Sequence, residues 1–245
     1  MVEPLFKLLF AIPPKVGDVL ALGGSEGKHA VAVRRIREGE AIQFADGSGV
    51  RVRASVSSVQ QNSLTAKVTE VLVEQEPAVK LTLIQALAKG DRDELAVQAA
   101  TELGCWAVVP WQAERSISKW EGAKIPKSVE RWQTIVGEAA KQALRVFEPK
   151  VAQPVNSKQL AELVSDFDTV LVLDPTADRG LGSQIDIKSN VAIVVGPEGG
   201  ISEAELKTLE AAGAIRVHLG APILRTSTAG VAAISVLQAK LGLWA

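Results

Sequence analysis

Few aromatic residues, one cysteine and no long apolar segment are present in this sequence of 245 residues, and each shortage excludes a class of protein. Aromatic side chains make up only 4% of the chain, so a folded core has to be built mainly from aliphatic residues. The lone Cys105 cannot form an intrachain disulfide, which fits a reducing compartment. No apolar run is long enough to span a membrane, and residues 1–4 lack the features of a signal peptide. We therefore expect a cytoplasmic protein that does not enter membranes.

Histidine is equally scarce, and the net charge is close to zero. Neither His29 nor His218 lies in a metal-ligand motif, so no metal site is expected. The formal net charge of -1 argues neither for nor against a nucleic-acid partner. Basic residues cluster locally, at Arg34 and Arg35 and over residues 115–150, which hold eight Lys or Arg and four acids. Such clusters can bind phosphates or form an ordinary solvated surface, and composition alone favours the solvated surface.

The hydrophobic pattern changes part-way along the chain, which predicts two domains. Residues 41–44 run into a strong turn signal at 46–49, and residues 50–54 and 63–73 alternate between apolar and polar side chains, as half-buried strands do. Residues 1–75 are therefore predicted to form a small β-barrel or β-sandwich. Over residues 76–245, apolar strands alternate with helices, which predicts an α/β domain with a mostly parallel sheet.

The second region contains clear candidates for individual helices and strands. From apolar spacing and end signals, helices are predicted over residues 92–103, 129–146 and 229–241. Buried strands are predicted at residues 81–84, 106–109, 169–173, 191–195 and 215–219. The strand at 106–109 is expected to stop at Pro110, because proline cannot donate a hydrogen bond to a neighbouring strand.

A glycine-rich loop, Gly196-Pro-Glu-Gly-Gly, follows the strand at 191–195. Ser202 and Glu205 have the spacing of a capping box, so the next helix is expected to begin there. Glycines after a parallel strand let a ligand approach the backbone, and ligands of open α/β sheets bind at this end of the strands. The loop has more glycine and proline than a plain turn needs, which favours a ligand loop. It matches neither the G-x-G-x-x-G pattern nor the P-loop.

A second loop, over residues 219–229, also joins a short strand to a helix. The hydroxyl residues at 226–228 are candidates to cap this helix, whose N-terminus favours an anionic ligand. Arg225 lies just before that end. A capped core helix with a solvated arginine is equally compatible with this loop alone. Asp174, at the end of another predicted strand, is a weaker candidate at the same edge of the sheet.

Together these loops resemble those of the knotted SPOUT class of RNA methyltransferases, and most closely the RsmE family. The resemblance depends on G-P-E-G-G at 196–200 and L-G-x-x-I-L-R-T at 219–226. Further matches lie at residues 98–104, 114–116, 131–132 and 138–142, and around His29 and Arg34. The resemblance covers essentially the whole chain. It implies a PUA-like RNA-binding β-barrel over residues 1–75 and a SPOUT methyltransferase domain with a C-terminal trefoil knot over residues 76–245.

The activity that the resemblance implies is methylation of N3 of one uridine in 16S ribosomal RNA. S-adenosylmethionine is the implied methyl donor, and free 16S rRNA or the assembled small subunit is the implied substrate. The expected cofactor-binding residues are Leu173, Gly196, Glu198, Gly199, Leu219, Gly220, Leu224 and Thr226. The expected RNA-binding residues are Arg34, Arg35, Arg115, Glu138, Gln142 and Arg145. The last three are expected on one face of the helix at 129–146, where the alternative is a surface salt-bridge stripe.

Arg225 is the candidate catalytic residue, because a guanidinium can stabilise the charge that develops on the uracil carbonyl oxygens as N3 loses its proton. The sequence does not identify the proton acceptor. His218 is interpreted as a core or tautomer-fixed histidine rather than as the base. The chain departs from the family pattern in three places, with Pro222 instead of a frequent arginine, Ser227 instead of a glutamate, and residues 5–7 instead of an arginine-rich opening. No role of those missing side chains carries over.

The resemblance further implies a homodimer. A small-residue face on the last helix would suit close packing between subunits, or it could serve an intrachain core; its residues are Ala232, Ala233, Ile234 and Leu237. Two other functions stay open at this point. One is a non-catalytic RNA-binding or ribosome assembly factor, and the other is a ribose 2′-O-methyltransferase of the same fold.

Overall fold

A computed structural model describes residues 2–244 and divides the chain into two compact units. The first unit contains the residues up to Glu76 together with Ala140–Glu148. The second contains Pro77–Ala139 and the residues from Pro149 onward. Among residues 2–244, no helix has both the length and the apolar character needed to cross a bilayer.

The first unit is built on a five-stranded mixed sheet. Its elements are β1 (Leu5–Lys7), β2 (Val19–Leu22), the short helix α1 (Gly24–Lys28), β3 (Ala41–Ala45), β4 (Val50–Val59) and β5 (Leu64–Val73). The strands lie in the order β1-β3-β4-β5-β2, with β1 parallel to β3 and the other pairs antiparallel. Alternate side chains of β4, such as Val52, Ala54 and Val56, are buried in one apolar cluster. The alternation that predicted these strands therefore marks the buried face of the sheet.

Residues 140–148 pack on this sheet, although sequence reasoning placed them in a helix of the second region. Val146 is buried against Leu5 and Ala45. The Arg51 guanidinium donates a hydrogen bond to the carbonyl of Leu144 at 2.9 Å. Leu144 has a φ of +53°, a left-handed conformation that a continuing helix does not contain. The helix predicted over residues 129–146 therefore ends earlier.

The second unit is an all-parallel sheet with helices between its strands. Its elements are β6 (Lys80–Ala86), α2 (Arg92–Glu102), β7 (Ala107–Gln112), α3 (Lys124–Gln142), β8 (Lys150–Val151), β9 (Val155–Asn156), α4 (Ser157–Leu163), β10 (Thr169–Leu173), β11 (Asn190–Val195), α5 (Glu203–Ala211), β12 (Ile215–Val217) and α6 (Thr226–Lys240). The sheet order is β12-β10-β11-β6-β7-β8, and β9 pairs with β7. The predicted parallel sheet with flanking helices, preceded by a small β-rich region, is confirmed. The trefoil knot stays a prediction.

Both faces of this sheet are covered, which explains why its strands are apolar without interruption. On β11, Val191, Ile193 and Val195 belong to one buried cluster. Ala192 and Val194 belong to the other. The first cluster also contains Ala233, Ile234 and Leu237, all fully buried, so that face of α6 serves the core of its own chain.

The predicted end of a strand at Pro110 is wrong. Strand β7 continues through Pro110 to Gln112, and Pro110 lies opposite Gln85 in the parallel pair with β6. The strands on the two sides of β7 are β6 and the short β8 and β9. Neither short strand pairs with Pro110 itself, since β8 reaches Val108 and β9 begins at Trp111. The missing N–H therefore falls where a pairing is absent, and proline does not interrupt the strand.

A buried carboxylate, that of Glu205, ties the start of α5 to two other segments. It completes the predicted capping box with Ser202 and accepts a hydrogen bond from the backbone N–H of Glu114 at 2.8 Å. It also accepts one from the Ser157 hydroxyl at 2.5 Å. Burial acts to raise the pKa of Glu205, but the hydrogen bonds from Ser157, Glu114 and Ser202 outweigh it and lower the pKa.

Because the folded state lowers this pKa, the Glu205 carboxylate stabilises the fold above its unfolded pKa and loses that effect as pH falls through its folded pKa. We expect Glu205→Gln to reduce the free energy of unfolding by about 2 kcal/mol at neutral pH, because an amide cannot accept all these bonds. Urea unfolding at several pH values should show the difference shrinking in acid. The control is Glu203→Gln, an exposed residue of the same helix. If Glu205→Gln lowers the free energy of unfolding by the same amount at every pH, the coupling between Glu205 protonation and stability is contradicted.

Candidate active site

A cavity of about 630 Å³ opens where β10, β11 and β12 end. Three loops form its walls, and they follow Leu173, Val195 and Val217. All the strands of this sheet are parallel, so the loops meet at its carboxyl edge, where open α/β sheets bind ligands. The volume lies within the range of small-molecule and cofactor sites.

Most of the expected cofactor residues line this cavity. They are Leu173, Gly196, Glu198, Leu219, Gly220, Leu224 and Thr226. Arg225, the candidate catalytic residue, also lines it and is exposed. Pro222, one of the departures from the family pattern, lies in the same wall. Sequence reasoning thus selected residues that the fold brings together from three separate segments.

Gly199, an expected cofactor residue, is not among the residues that line the cavity and packs against Arg115 instead. A Cβ built on Gly199 would lie 3.3 Å from the Cβ of Arg115, and the Arg115 guanidinium donates to the Gly199 carbonyl at 3.0 Å. The neighbouring Gly200 does line the cavity, and it has a φ of +73°. Arg115 is itself a lining residue. Gly199 therefore contributes close packing against Arg115, and that arginine belongs to the cavity wall.

The two signature loops are joined by a threonine hydroxyl. Thr226 Oγ1 donates to the carbonyl of Gly196 at 2.8 Å and accepts from Gln85 Nε2 at 2.9 Å. Sequence reasoning expected hydroxyls here to cap α6, but the N-cap residue is Arg225, and its side chain makes no capping bond. The Thr226 hydroxyl therefore binds the glycine-rich loop and does not cap α6. Gln85 was missed, because a single polar residue in an apolar strand has no distinctive spacing.

Both carboxylate oxygens of Asp174 accept hydrogen bonds from nearby residues. One carboxylate oxygen accepts from the backbone N–H of Thr176 at 3.0 Å, and the other accepts from the Arg216 Nε at 2.8 Å. Burial acts to raise the pKa of Asp174, but the hydrogen bonds from Thr176 and Arg216 outweigh it, and the pKa lies below its ordinary value. Asp174 therefore stays ionised and shapes the loop.

Glu198 is held by the loop that precedes α2 and by the first residue of that helix. Its Oε1 accepts from the backbone N–H of Lys89 and from the Arg92 guanidinium, each at 3.1 Å. The N–H of Ala88, in the same loop, donates to Asp93 at 3.0 Å. Burial raises the pKa of Asp93. The β6–α2 loop thus fixes the glutamate of the glycine-rich loop at the cavity wall.

His218 fixes the turn that opens the second signature loop. Its Nδ1 accepts a hydrogen bond from the Gly220 N–H at 3.0 Å, and Gly220 has a φ of +106°, which favours glycine. Since Nδ1 accepts, the neutral ring carries its proton on Nε2. His218 lines the cavity. This geometry agrees with a tautomer-fixed histidine rather than a base.

Comparisons with known proteins agree with this geometry. The family profile of an RNA methyltransferase domain matches residues 74–238, and that of an RNA methyltransferase PUA domain matches residues 22–69. The chain is 37% identical over 239 residues to a ribosomal RNA small subunit methyltransferase E of Mycobacterium bovis, covering 94% of this chain and 90% of the relative. The corresponding Bacillus subtilis protein is 34% identical over 227 residues, covering 89% of each chain.

The chain belongs to the ribosomal RNA small subunit methyltransferase E family.

A solved structure from this family shares the whole fold. It is a ribosomal RNA small subunit methyltransferase E from Neisseria gonorrhoeae bound to S-adenosyl methionine, with 30% identity and a TM-score of 0.86. The similarity covers 98% of both chains. The resemblance predicted from the two loop motifs is therefore confirmed over the full length of the chain.

The residues expected to bind RNA in this family member are spread over both units. In the first unit, Arg34 and Arg35 are exposed at the end of a helical turn, and Arg35 has a φ of +56°. Arg115 lies at the cavity in the second unit. Glu138 and Gln142 are exposed on α3, but Arg145 lies beyond its end at Gln142. The expected i, i+4, i+7 stripe is therefore wrong for Arg145, because the chain turns at Leu144.

We expect His218 to act on cofactor affinity through Gly220. His218→Asn places a side-chain oxygen where it can accept the same N–H two residues on, as asparagine does in Asx-turns. His218→Leu leaves the N–H without that acceptor, at a cost of about 1 kcal/mol, and should weaken S-adenosylmethionine binding by roughly fivefold. Calorimetric titration of both variants measures this. Equal affinities for the leucine variant and the wild type would contradict the role.

Proposed function

We propose that this protein transfers a methyl group from S-adenosylmethionine to N3 of a uridine in the 16S RNA of the small ribosomal subunit. The observation that carries the proposal is the cavity built by the G-P-E-G-G and L-G-x-x-I-L-R-T loops in a chain of this family. The relatives' names specify the small-subunit RNA. The N3 position follows from the resemblance to the RsmE family. A ribosomal substrate favours a cytoplasmic location.

The cavity residues fit such a donor. Leu173, Leu219 and Leu224 provide apolar side chains that suit a purine base. Gly196, Gly200 and Gly220 bring backbone into the wall without side chains. S-adenosylmethionine supplies an electrophilic methyl carbon when bound. The protein's part is to hold donor and acceptor in line, and no metal is needed for that.

Arg225 supplies the charge stabilisation in this proposal. Within residues 2–244 its side chain has no hydrogen-bond or salt-bridge partner, although it lines the cavity. The neighbouring arginines differ in this respect, since Arg92 binds Glu198 and Arg115 binds the Gly199 carbonyl. A guanidinium without an internal partner can donate two hydrogen bonds to a carbonyl oxygen that gains charge.

A homodimer is part of the proposal through the family resemblance. The buried face of α6, with Ala233, Ile234 and Leu237, is occupied within the chain. A second subunit would therefore contact the remaining exposed side chains of the C-terminal region. The apolar candidates are Val236, Leu243 and Trp244, with 37%, 37% and 55% of their surface exposed. Sedimentation of the purified protein measures the subunit number.

The direct test is single-turnover methylation of small subunits and of naked 16S RNA with labelled donor, followed by nucleoside analysis. N3-methyluridine is the expected product. A 2′-O-methylated nucleoside would instead support a ribose methyltransferase of this fold. Donor binding without any transfer to either substrate would support the assembly factor.

Arg225→Ala is expected to lower the single-turnover rate by ~100-fold or more with little change in donor affinity, because the lost donors act on the transition state. Arg225→Lys keeps the charge but loses the planar pair of donors, so it should also be slow. Calorimetry of donor binding and thermal unfolding accompany the rates. A stable Arg225→Ala protein with full activity would remove Arg225 from the mechanism. A fall in activity only in proportion to unfolding would make its role structural.

A further inference from the structure

Methylation at uracil N3 requires a proton acceptor, and the cavity contains few groups that can serve. This inference rests on the proposed function. The acidic and histidine side chains that line the cavity are Asp174, Glu198, Glu203 and His218. Arginines line it too, but a guanidinium stays protonated and accepts no hydrogen bond. The acceptor within the cavity is therefore to be found among four side chains.

Asp174 and His218 have no acceptor position to offer. Both oxygens of Asp174 accept hydrogen bonds from Thr176, and one also accepts from Arg216. The same bonds lower its pKa. His218 uses Nδ1 to accept from Gly220, so in the neutral ring Nε2 is a donor. The acceptor atoms of both side chains are therefore used in hydrogen bonds that hold the cavity loops in place.

Glu203 is placed in solvent. Its side chain is 67% exposed, and it forms an ion pair with Lys207 one turn along α5, at 3.7 Å. A carboxylate so exposed is free to move among many conformations. Proton transfer needs a group held within hydrogen-bond reach of the reacting atom, and nothing holds Glu203 towards the cavity.

Glu198 differs from the other three in having one oxygen fixed and one open. Oε1 accepts both hydrogen bonds, from the Lys89 N–H and from Arg92. The side chain is only 22% exposed. Among residues 2–244, no donor is bound to Oε2. Two donors on one oxygen orient the carboxylate and leave the second oxygen available at the wall of the cavity.

We propose that Glu198 Oε2 is the base that accepts the N3 proton of the target uracil. The N3–H bond breaks, the proton moves to Oε2, and the electron pair stays on N3. That pair forms the bond to the transferred methyl carbon, while the pair of the carbon–sulfur bond remains on the sulfur of the donor. Arg225 stabilises the charge on the uracil carbonyl oxygens during the same step. The proton then leaves Glu198 for solvent.

The decisive variant is Glu198→Gln, whose amide oxygen can still accept from Lys89 and Arg92. Affinities for the donor and for the RNA, measured by calorimetry, should stay within twofold of the wild type. The single-turnover rate should fall about 100-fold or more, as expected for loss of a general base. The matched control is Glu162→Gln, at an exposed residue of α4 that does not line the cavity, and it should keep the wild-type rate. A Glu198→Gln protein with the wild-type rate, or with markedly weaker donor binding, would overturn the proposal.

A modified substrate separates proton transfer from a structural effect. An RNA with 5-fluorouridine at the target position has a more acidic N3–H, because fluorine withdraws electron density. The Glu198→Gln rate should therefore gain much more from this substrate than the wild-type rate does. Glu198→Asp, which keeps a carboxylate, should be faster than Glu198→Gln. An equal gain for variant and wild type would overturn the proposal even where Glu198→Gln is partly unfolded.

The same experiment tests the role of Glu198 separately from the proposed methyltransferase activity. If the wild-type protein forms no N3-methyluridine at all, the proposed function fails. If it forms N3-methyluridine and Glu198→Gln does so equally fast, only the assignment of the base fails.

Discussion

The arrangement of the site depends on one hydroxyl, that of Thr226. It joins the first residue of α6 to the carbonyl of Gly196, at the start of the glycine-rich loop. Gln85 fixes the same hydroxyl from strand β6, which lies beside β11 in the sheet. Gln85 and Thr226 are both buried, so an unmade bond among these groups would cost about 1–3 kcal/mol. The Thr226 hydroxyl thus holds the glycine-rich loop and the loop before α6 together at the cavity.

The charged side chains around the cavity fall into two groups. Some are hydrogen-bonded within the protein and hold its loops in place, and others are free to contact a substrate. Asp174 is bound to Arg216 and Thr176, and Glu205 anchors the segment that carries Arg115. These carboxylates have lowered pKa values because hydrogen bonds outweigh burial. Arg225 and one oxygen of Glu198 have no such partner among the described residues. Acid and base functions can only be assigned to groups that the fold leaves uncommitted.

Much of the fold and of the site could be predicted from the sequence, because strong local patterns carried the information. Strand 169–173 and the capping box of Ser202 and Glu205 lie where the pattern placed them. The end of α3 could not be predicted, since the turn at Leu144 depends on packing of Val146 in the first unit. Gln85 and Arg216 act through contacts over 141 and 42 positions, which no local spacing reveals.

The central claim is that this chain modifies one base of small-subunit RNA. Mass spectrometry of nucleosides from 16S RNA, in cells with and without the gene, measures this most directly. We predict that N3-methyluridine is lost without the gene and returns on expression of the wild-type chain but not of a chain with Thr226→Val. Unchanged N3-methyluridine in cells that lack the gene would contradict the claim.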